Sequence, residues 1–501
     1  MSHAPGLMAA DPRSGCRGVV ALNARLEDWQ LELCRQPTLL AEWLDEYGSP
    51  LNVLDASPMA RNADELWCAS TGAGVDLKIL FARKANKALT FVDEALRLGL
   101  GIDVASEREL HQALQRGAQG ADLVVTAAVK PRALLERCVA CASTVVIDNE
   151  DELEQLAGIA ERSARGVPVA LRLAPMVADE HRLTRFGLEP AKALTMTDRH
   201  CPAGRSALSI VGVHFHLDGY AAAERVTALA QSLDLIDALR ARGHRPTFID
   251  IGGGIPMSYL DDPTGWERFW REHRAGLLGQ RTPQTFDGHG LGLTAHAGEI
   301  IGHANVYPAY QQPTRGAWLQ QILRAPLARV TVADALRGRG LQLRCEPGRS
   351  LLDGCGLTAA RVEFRKQRRD GTWLIGLAMN RTQCRSTADD LLIDPLLLRP
   401  ETGGAPTASR PTGPIEGYLV GAYCIERELL TWRRMHFPQG VQIGDIVVFA
   451  NTAGYMMHIL ESASHQIPLA RNLIVNAPSA PFLDAIDRGH AAVSRTVRHP
   501  V

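Results

Sequence analysis

The chain has 501 residues, 46% of them hydrophobic, with 54 basic and 55 acidic side chains and a formal charge of −1. That length exceeds one ordinary core, so two domains, or a large barrel with a second domain, are expected. The balanced charge removes the electrostatic case for a nucleic acid or an anionic membrane and leaves a small-molecule partner. The opening MSHAPGLMAADPRSGCRG has no apolar run of signal-peptide type, no stretch is long enough to span a bilayer, and the ten cysteines are scattered. Together these features predict a cytoplasmic chain with free thiols and no metal site.

In chain order, residues 1–20 read as a disordered lead and 21–56 as a lead-in. The lead-in runs through a helix, a Gly-Ser-Pro turn and a short strand at Leu51–Leu54. A helix near Met59–Gly72 follows, and then one unit repeats, an apolar β-rich run followed by an amphipathic helical stretch. The predicted strands are Ile79–Ala82, Gly101–Val104, Leu123–Thr126, Thr144–Ile147, Val167–Leu173, Ile210–Phe215, Phe248–Ile251 and Leu341–Cys345. Eight such strands alternating with helices argue for an α/β fold, a (β/α)8 TIM-type barrel over 57–346, with a doubly wound open sheet as the alternative.

The long stretch 257–340 reads as an insertion within that barrel, its Trp266, Phe269 and Trp270 serving packing. Beyond Glu346 the pattern changes to short strands and turns, which predicts a C-terminal β domain over 347–475. Within it, Arg399–Gly417 is rich in Pro, Gly, Thr and Ser and reads as a mobile surface loop. Residues 476–501 read as a helix and tail. The lone Cys138-x-x-Cys141, inside a helical pattern, reads as two ordinary thiols.

If the barrel is right, unusual polar residues should fall just after strands, because barrel active sites lie at the strands' C-terminal ends. Lys84, Asp103, Arg172, His216, Gly252, Gly253, Gly254 and Glu346 all sit at or close to strand ends. Lysine is rarely fully buried unpaired, yet a desolvated one can form a Schiff base with a carbonyl. The three glycines of FIDIGGGIP allow backbone N–H groups to approach a phosphate, although a tight turn explains them equally well. In CEPGRS, Glu346 and Arg349 stand three residues apart, a spacing that also suits a plain surface ion pair.

FARKAN followed by GIDVASEREL, together with the FIDIGGGIP and CEPGRS motifs, resembles the fold-type III pyridoxal-phosphate decarboxylases of the alanine-racemase-like barrel. These are the ornithine, diaminopimelate and arginine decarboxylases, and the chain looks like a divergent member. The resemblance implies pyridoxal 5'-phosphate carried by Lys84, Asp103 within the cofactor site, the ring nitrogen held by Glu346, and the phosphate met by the glycines and Arg349. A carboxylate that keeps that nitrogen protonated suits decarboxylation through a quinonoid intermediate, because the ring can then accept the α-carbon's electron pair. In VHFHLDGY the family's stacking histidine falls at His216, although strand alternation alone does not separate it from His214.

NTAGY makes Tyr455 a phosphate contact, and GAYCIERE makes Cys424 the proton donor supplied by a neighbouring subunit, so the resemblance also implies a homodimer with shared active sites. Arg185 in TRFGL, Asp218 and Glu426 are candidate substrate contacts. Two departures stand out. Asp218-Gly219 replaces the family's Gly-Ser, bringing a negative charge to the anion site, and Ile425 replaces the acid that recognises the substrate's distal group. A larger or carrier-linked amino acid is therefore considered. Two rival functions are a racemase or epimerase, with Lys84 and Tyr423 or Cys424 as opposed bases, and a non-catalytic regulatory homologue. The presence of Lys84, Glu346 and Arg349 argues against the latter.

Overall fold

The computed structural model describes residues 11–175, 184–401, 413–475 and 480–488. Two compact units divide the chain, Ser57–Met257 with Gln312–Leu352, and Met1–Ala56 with Ser258–Gln311 and Asp353–Val501.

The first unit holds eight parallel strands, β1 (Leu77–Ala82), β2 (Gly101–Val104), β3 (Leu123–Val125), β4 (Thr144–Ile147), β5 (Val167–Arg172), β6 (Leu208–His214), β7 (Phe248–Asp250) and β8 (Gln342–Cys345). They form a closed barrel in chain order, with β8 returning to β1 so that Leu343 lies opposite Leu77 and Cys345 opposite Ile79. That closure excludes the doubly wound alternative, which would leave two open edges. It also explains the unbroken apolar runs, because a barrel strand is covered on both faces: Leu80, Phe81 and Ala82 are all fully buried. The helices begin where short polar side chains cap them. Ser106 accepts from the Glu109 N–H ahead of Glu107–Gln115, and Asn149 accepts from the Glu152 N–H at 2.9 Å ahead of Glu150–Ser163.

Between β7 and β8 the structure differs from the sequence reading. Residues Ser258–Gln311 belong to the second unit, whereas Gln312–Leu352 stays with the barrel. There the helix Arg315–Arg324 packs on Pro58–Gly72 and is fastened by Arg315, whose Nε and Nη2 donate to Glu65 at 2.9 and 2.8 Å. The stretch 257–340 is thus one excursion followed by ordinary barrel helices. The division was invisible because amphipathic helices look alike whichever core they cover.

The second unit is built on a ten-stranded mixed sheet. Its long strand Gly356–Gln367 pairs antiparallel with Leu51–Leu54, Ile446–Ala450 and Trp373–Leu377. Val362, Ile375, Met435, Phe437 and Val447 fill its core. In the 258–311 excursion, Phe269 and Trp270 are buried in an aromatic cluster with Trp266.

The predicted disordered lead needs correction over residues 11–20, because Arg17–Gly18 pairs with Met435–His436 and both Cys16 and Val20 are buried. Arg433 holds this segment by donating to the Val20 carbonyl, a contact between residues too distant in sequence to be read locally. Residues 1–10 lie outside the described residues, as do 402–412 of the predicted loop. Of the predicted C-terminal helix and tail, 476–479 and 489–501 also lie outside the described residues, and the part between carries a short strand, Phe482–Leu483, paired with Leu473–Ile474.

Candidate active site

The barrel gathers polar side chains just past the strand ends. After β1 the chain makes a tight turn, Arg83–Ala85, in which the buried Arg83 donates to the carbonyls of Asn86 and Lys87. This turn presents Lys84, whose Nζ pairs with a carboxylate oxygen of Asp103 from β2. The other Asp103 oxygen accepts the hydroxyl of Thr126, just past β3. Burial, and then the charge of Glu346, raise the Asp103 carboxyl above its usual range, while Lys84 opposes the shift.

Glu346 follows β8, the strand that pairs with β1, and is 3% exposed. His214 Nε2 lies 3.2 Å from Glu346 Oε1. Asp250, at the end of β7, accepts the Gly252 N–H at 2.9 Å. The donor atoms of His214, Asp250 and Glu346 lie within 4.8 Å of one another, all three residues buried. Both His214 ring nitrogens, Asp250 Oδ2 and Glu346 Oε1 are buried without a well-aligned hydrogen bond among the described residues. Burial raises both carboxyls, each helped or opposed by its neighbours: Asp250 is pushed further by Glu346, and Glu346 is held back by Lys84 and Arg172.

His214 is held well below the usual imidazole range by burial and then by the Arg172 charge. Its facing groups also include Asp103, Lys84 and Lys130. The unfolded chain takes up a proton here near 6.5 and the folded chain does not, so stability falls as pH drops below that value. One such proton is worth about 1.4 kcal/mol per pH unit. The apoprotein's unfolding free energy should therefore lose that much of its slope between pH 6.5 and 5 in His214→Gln. Denaturant titrations across that range check it, and identical slopes in both proteins would refute it.

His216 lies two residues past β6, and its Nδ1 accepts the Gly253 N–H at 3.0 Å. Unlike His214 it is solvent-accessible at the barrel mouth. The glycine loop cannot carry side chains. Gly252 has φ +65° and a Cβ there would meet His216 Nδ1 at 2.7 Å, while Gly254, at φ +72°, would bring a Cβ to 2.9 Å from the Gly219 carbonyl. Desolvation in the barrel mouth, and then Lys84, hold the His216 imidazole well below its usual range.

Arg349 is half-buried four residues past β8. Arg185 is exposed in the loop after β5, with its guanidinium 4.0 Å from the Phe186 ring centroid; Arg172 lies over the same ring at 4.1 Å. Asp218 is exposed beside Gly219. The barrel thus brings together Lys84, Asp103, His216, Gly252–Gly254 and Glu346. Cys424, Glu426 and Tyr455 belong to the second unit. Cys424 and Ile425 are exposed in a loop closed at its base by the buried Glu428, whose Oε1 accepts the Arg381 N–H at 2.8 Å. Glu426 lines a cavity of about 710 Å³ with Lys366, Arg368, Arg369 and Arg427. Tyr455 is half-buried in the turn after Ile446–Ala450, at φ +64°.

Sequence reasoning missed Thr126, Asp250 and the buried Arg225. Asp250 had one signal, its place directly before the glycine run. Thr126 and Arg225 had none, since a threonine after a strand and an arginine on an amphipathic helix are commonplace.

These residues fit pyridoxal phosphate. A paired lysine, a buried acid for the ring nitrogen, a solvent-accessible imidazole and a loop without side chains occupy one barrel end, and the Gly254 N–H donates to no acceptor among the described residues. The fold and site define a pyridoxal-phosphate enzyme of the alanine-racemase-like barrel class. Residues 62–291 match the family described as "Pyridoxal-dependent decarboxylase, pyridoxal binding domain". The chain is 31% identical over 449 residues to the uncharacterized protein y4yA of Sinorhizobium fredii, covering 88% of this chain and 91% of that one. It is 25% identical over 436 residues to the diaminopimelate decarboxylase of Pseudomonas aeruginosa, covering 85% and 87%. The crystal structure of Helicobacter pylori diaminopimelate decarboxylase complexed with L-lysine superposes with a TM-score of 0.63 at 17% identity, covering 89% and 97%.

The chain belongs to the fold-type III pyridoxal-phosphate-dependent decarboxylases, the group of the diaminopimelate, ornithine and arginine decarboxylases, and is a divergent member of it. It is accordingly a carbon-carbon lyase that uses pyridoxal 5'-phosphate. No helix among the described residues is long and apolar enough to cross a membrane.

Proposed function

We propose that the protein decarboxylates an amino acid whose distal group is not a simple ammonium, acting in the cytoplasm as a homodimer with shared active sites. The observation that carries the decarboxylase reading is Glu346, a buried carboxyl just past the end of β8, the strand that pairs with β1 and so neighbours the turn carrying Lys84. Lys84 would hold the cofactor's carbonyl carbon, Glu346 the ring nitrogen and His216 the ring face. Gly252–Gly254, Arg349 and Tyr455 would hold the phosphate. When bound, the cofactor supplies an electron-withdrawing ring that takes up the pair left at the α-carbon as carboxylate departs.

The chain's own groups set the direction of that reaction. Glu346 would keep a proton at the ring nitrogen, and Asp103 would hold the Lys84 side chain in place at the mouth of the barrel. Cys424, from a second subunit, would return a proton to the α-carbon, a task a positioned thiol can perform. The substrate reading rests on the 424–428 loop. Ile425 stands where the resemblance implies an acid, and the next residue, Glu426, lines a cavity with Asp287 and the basic Lys366, Arg368, Arg369 and Arg427, so four basic groups face two acids there. Positive walls favour a distal carboxylate or phosphate and disfavour a distal ammonium.

The test is mass spectrometry of free L- and D-amino acids with distal ammonium, carboxylate and phosphate groups, incubated with holoenzyme in heavy water. Loss of carbon dioxide with one deuterium gained, greatest for distal acids, is the expected result. Cys424→Ala should slow turnover by about 10²-fold, the ordinary contribution of a positioned proton donor. Preferred turnover of lysine, ornithine or diaminopimelate would overturn the substrate reading. Deuterium exchange without loss of carbon dioxide would overturn decarboxylation in favour of racemisation.

A further inference from the structure

Arg225 stands early in the helix Ala222–Ala241 and is completely buried. Its Nη2 donates to the Gly219 carbonyl at 2.7 Å and the Leu217 carbonyl at 3.2 Å, and reaches those of Gly253 and Gly254 at 3.5 Å. Its guanidinium lies 5.7 Å from the Trp318 ring centroid, and Trp318 Nε1 donates to the Tyr220 carbonyl at 2.7 Å. Burial lowers its pKa only to about 10, so the charge persists at neutral pH.

One guanidinium therefore collects carbonyls from two loops, the turn after β6 and the glycine loop after β7. A trans peptide is planar, with its C=O and N–H directed oppositely. Drawing the Gly253 and Gly254 carbonyls toward Arg225 turns the Gly254 and Ile255 N–H groups away from it. Neither N–H has an acceptor among the described residues. Nη2 alone makes these contacts, while Nε and Nη1 are buried without a hydrogen bond, and the planar guanidinium is fixed by burial and keeps its charge there.

We infer that Arg225 is a positioning residue for the cofactor's phosphate: it touches no phosphate but aims the N–H groups of the glycine loop at it from beneath, compensating for the serine that Asp218-Gly219 replaces. This rests on the assignment of that loop to the phosphate. Its consequence is selective, because only the phosphate end of the cofactor should depend on Arg225.

The experiment is an absorbance titration of apoprotein with pyridoxal phosphate and, separately, with pyridoxal, which lacks the phosphate. In Arg225→Met the dissociation constant for pyridoxal phosphate should rise by about tenfold or more, as expected for losing one charge-assisted alignment, while that for pyridoxal stays within about twofold. Arg225→Lys should fall between them, and it carries the same comparison if the methionine variant does not fold. Equal weakening of both compounds would mean a general packing role and overturn the inference, as would no change in either. Wild-type protein that binds the two compounds equally would instead remove the phosphate assignment on which the inference stands.

Discussion

Replacing Lys84 with alanine should reduce turnover on the order of 10³- to 10⁶-fold, the range seen when a covalent catalytic group is removed. The effect follows from the absence of a substitute. Lys78 lies at the start of β1, but its amine donates to the Ala121 carbonyl and lies 3.6 Å from Asp122, and the length of β1 separates it from the turn that presents Lys84. Borohydride reduction of holoenzyme, followed by peptide mass spectrometry, checks the assignment. The wild-type peptide containing Lys84 should gain the reduced cofactor's mass, and no other lysine peptide should. Labelling at Lys78, Lys87 or Lys130 in the wild-type protein would refute it. In the variant, the Asp103 carboxyl loses its paired cation while remaining buried, so its pKa should rise further.

Glu346→Gln should lower kcat by about 10²- to 10⁴-fold, because glutamine cannot keep a proton on a ring nitrogen. Its effect on stability should have the opposite sign. Burial raises the Glu346 pKa in the folded protein, so the folded form holds a proton that the unfolded form releases above about 4.5. Its favourable contribution is complete below that value and is lost as pH rises through the folded pKa. Ionising Glu346 therefore costs the wild-type fold a buried charge, beside an Asp250 whose carboxyl is raised by burial and then by that charge. The apoprotein variant should melt no lower than wild type at pH 8 and should gain relative to wild type between pH 5 and 8. Kinetics and melting curves on the same preparations check the two halves, and a variant that loses both activity and melting temperature at pH 8 would sink the argument.

The sequence by itself determined the barrel's strands, because a strand covered on both faces must be apolar along its length, and runs such as Ile79–Ala82 and Thr144–Ile147 say so without reference to any partner. It also marked Lys84, Asp103, His216, Gly252–Gly254 and Glu346, since polar residues and glycine runs at the ends of such strands are conspicuous. Tertiary structure alone decided what depends on distant neighbours. Barrel closure came from β8 meeting β1, and the assignment of 258–311 to the second unit came from which core its apolar faces cover. The ordered segment 11–20 depends on Arg433. Enclosure of His214 against Glu346, with His216 left open, depends on which side of the β6 end each faces, a difference that alternation cannot express for two residues on the same side of a strand. Arg225 is the clearest case: its sequence context is an ordinary helix, and only the convergence of two loops on its guanidinium gives it a role.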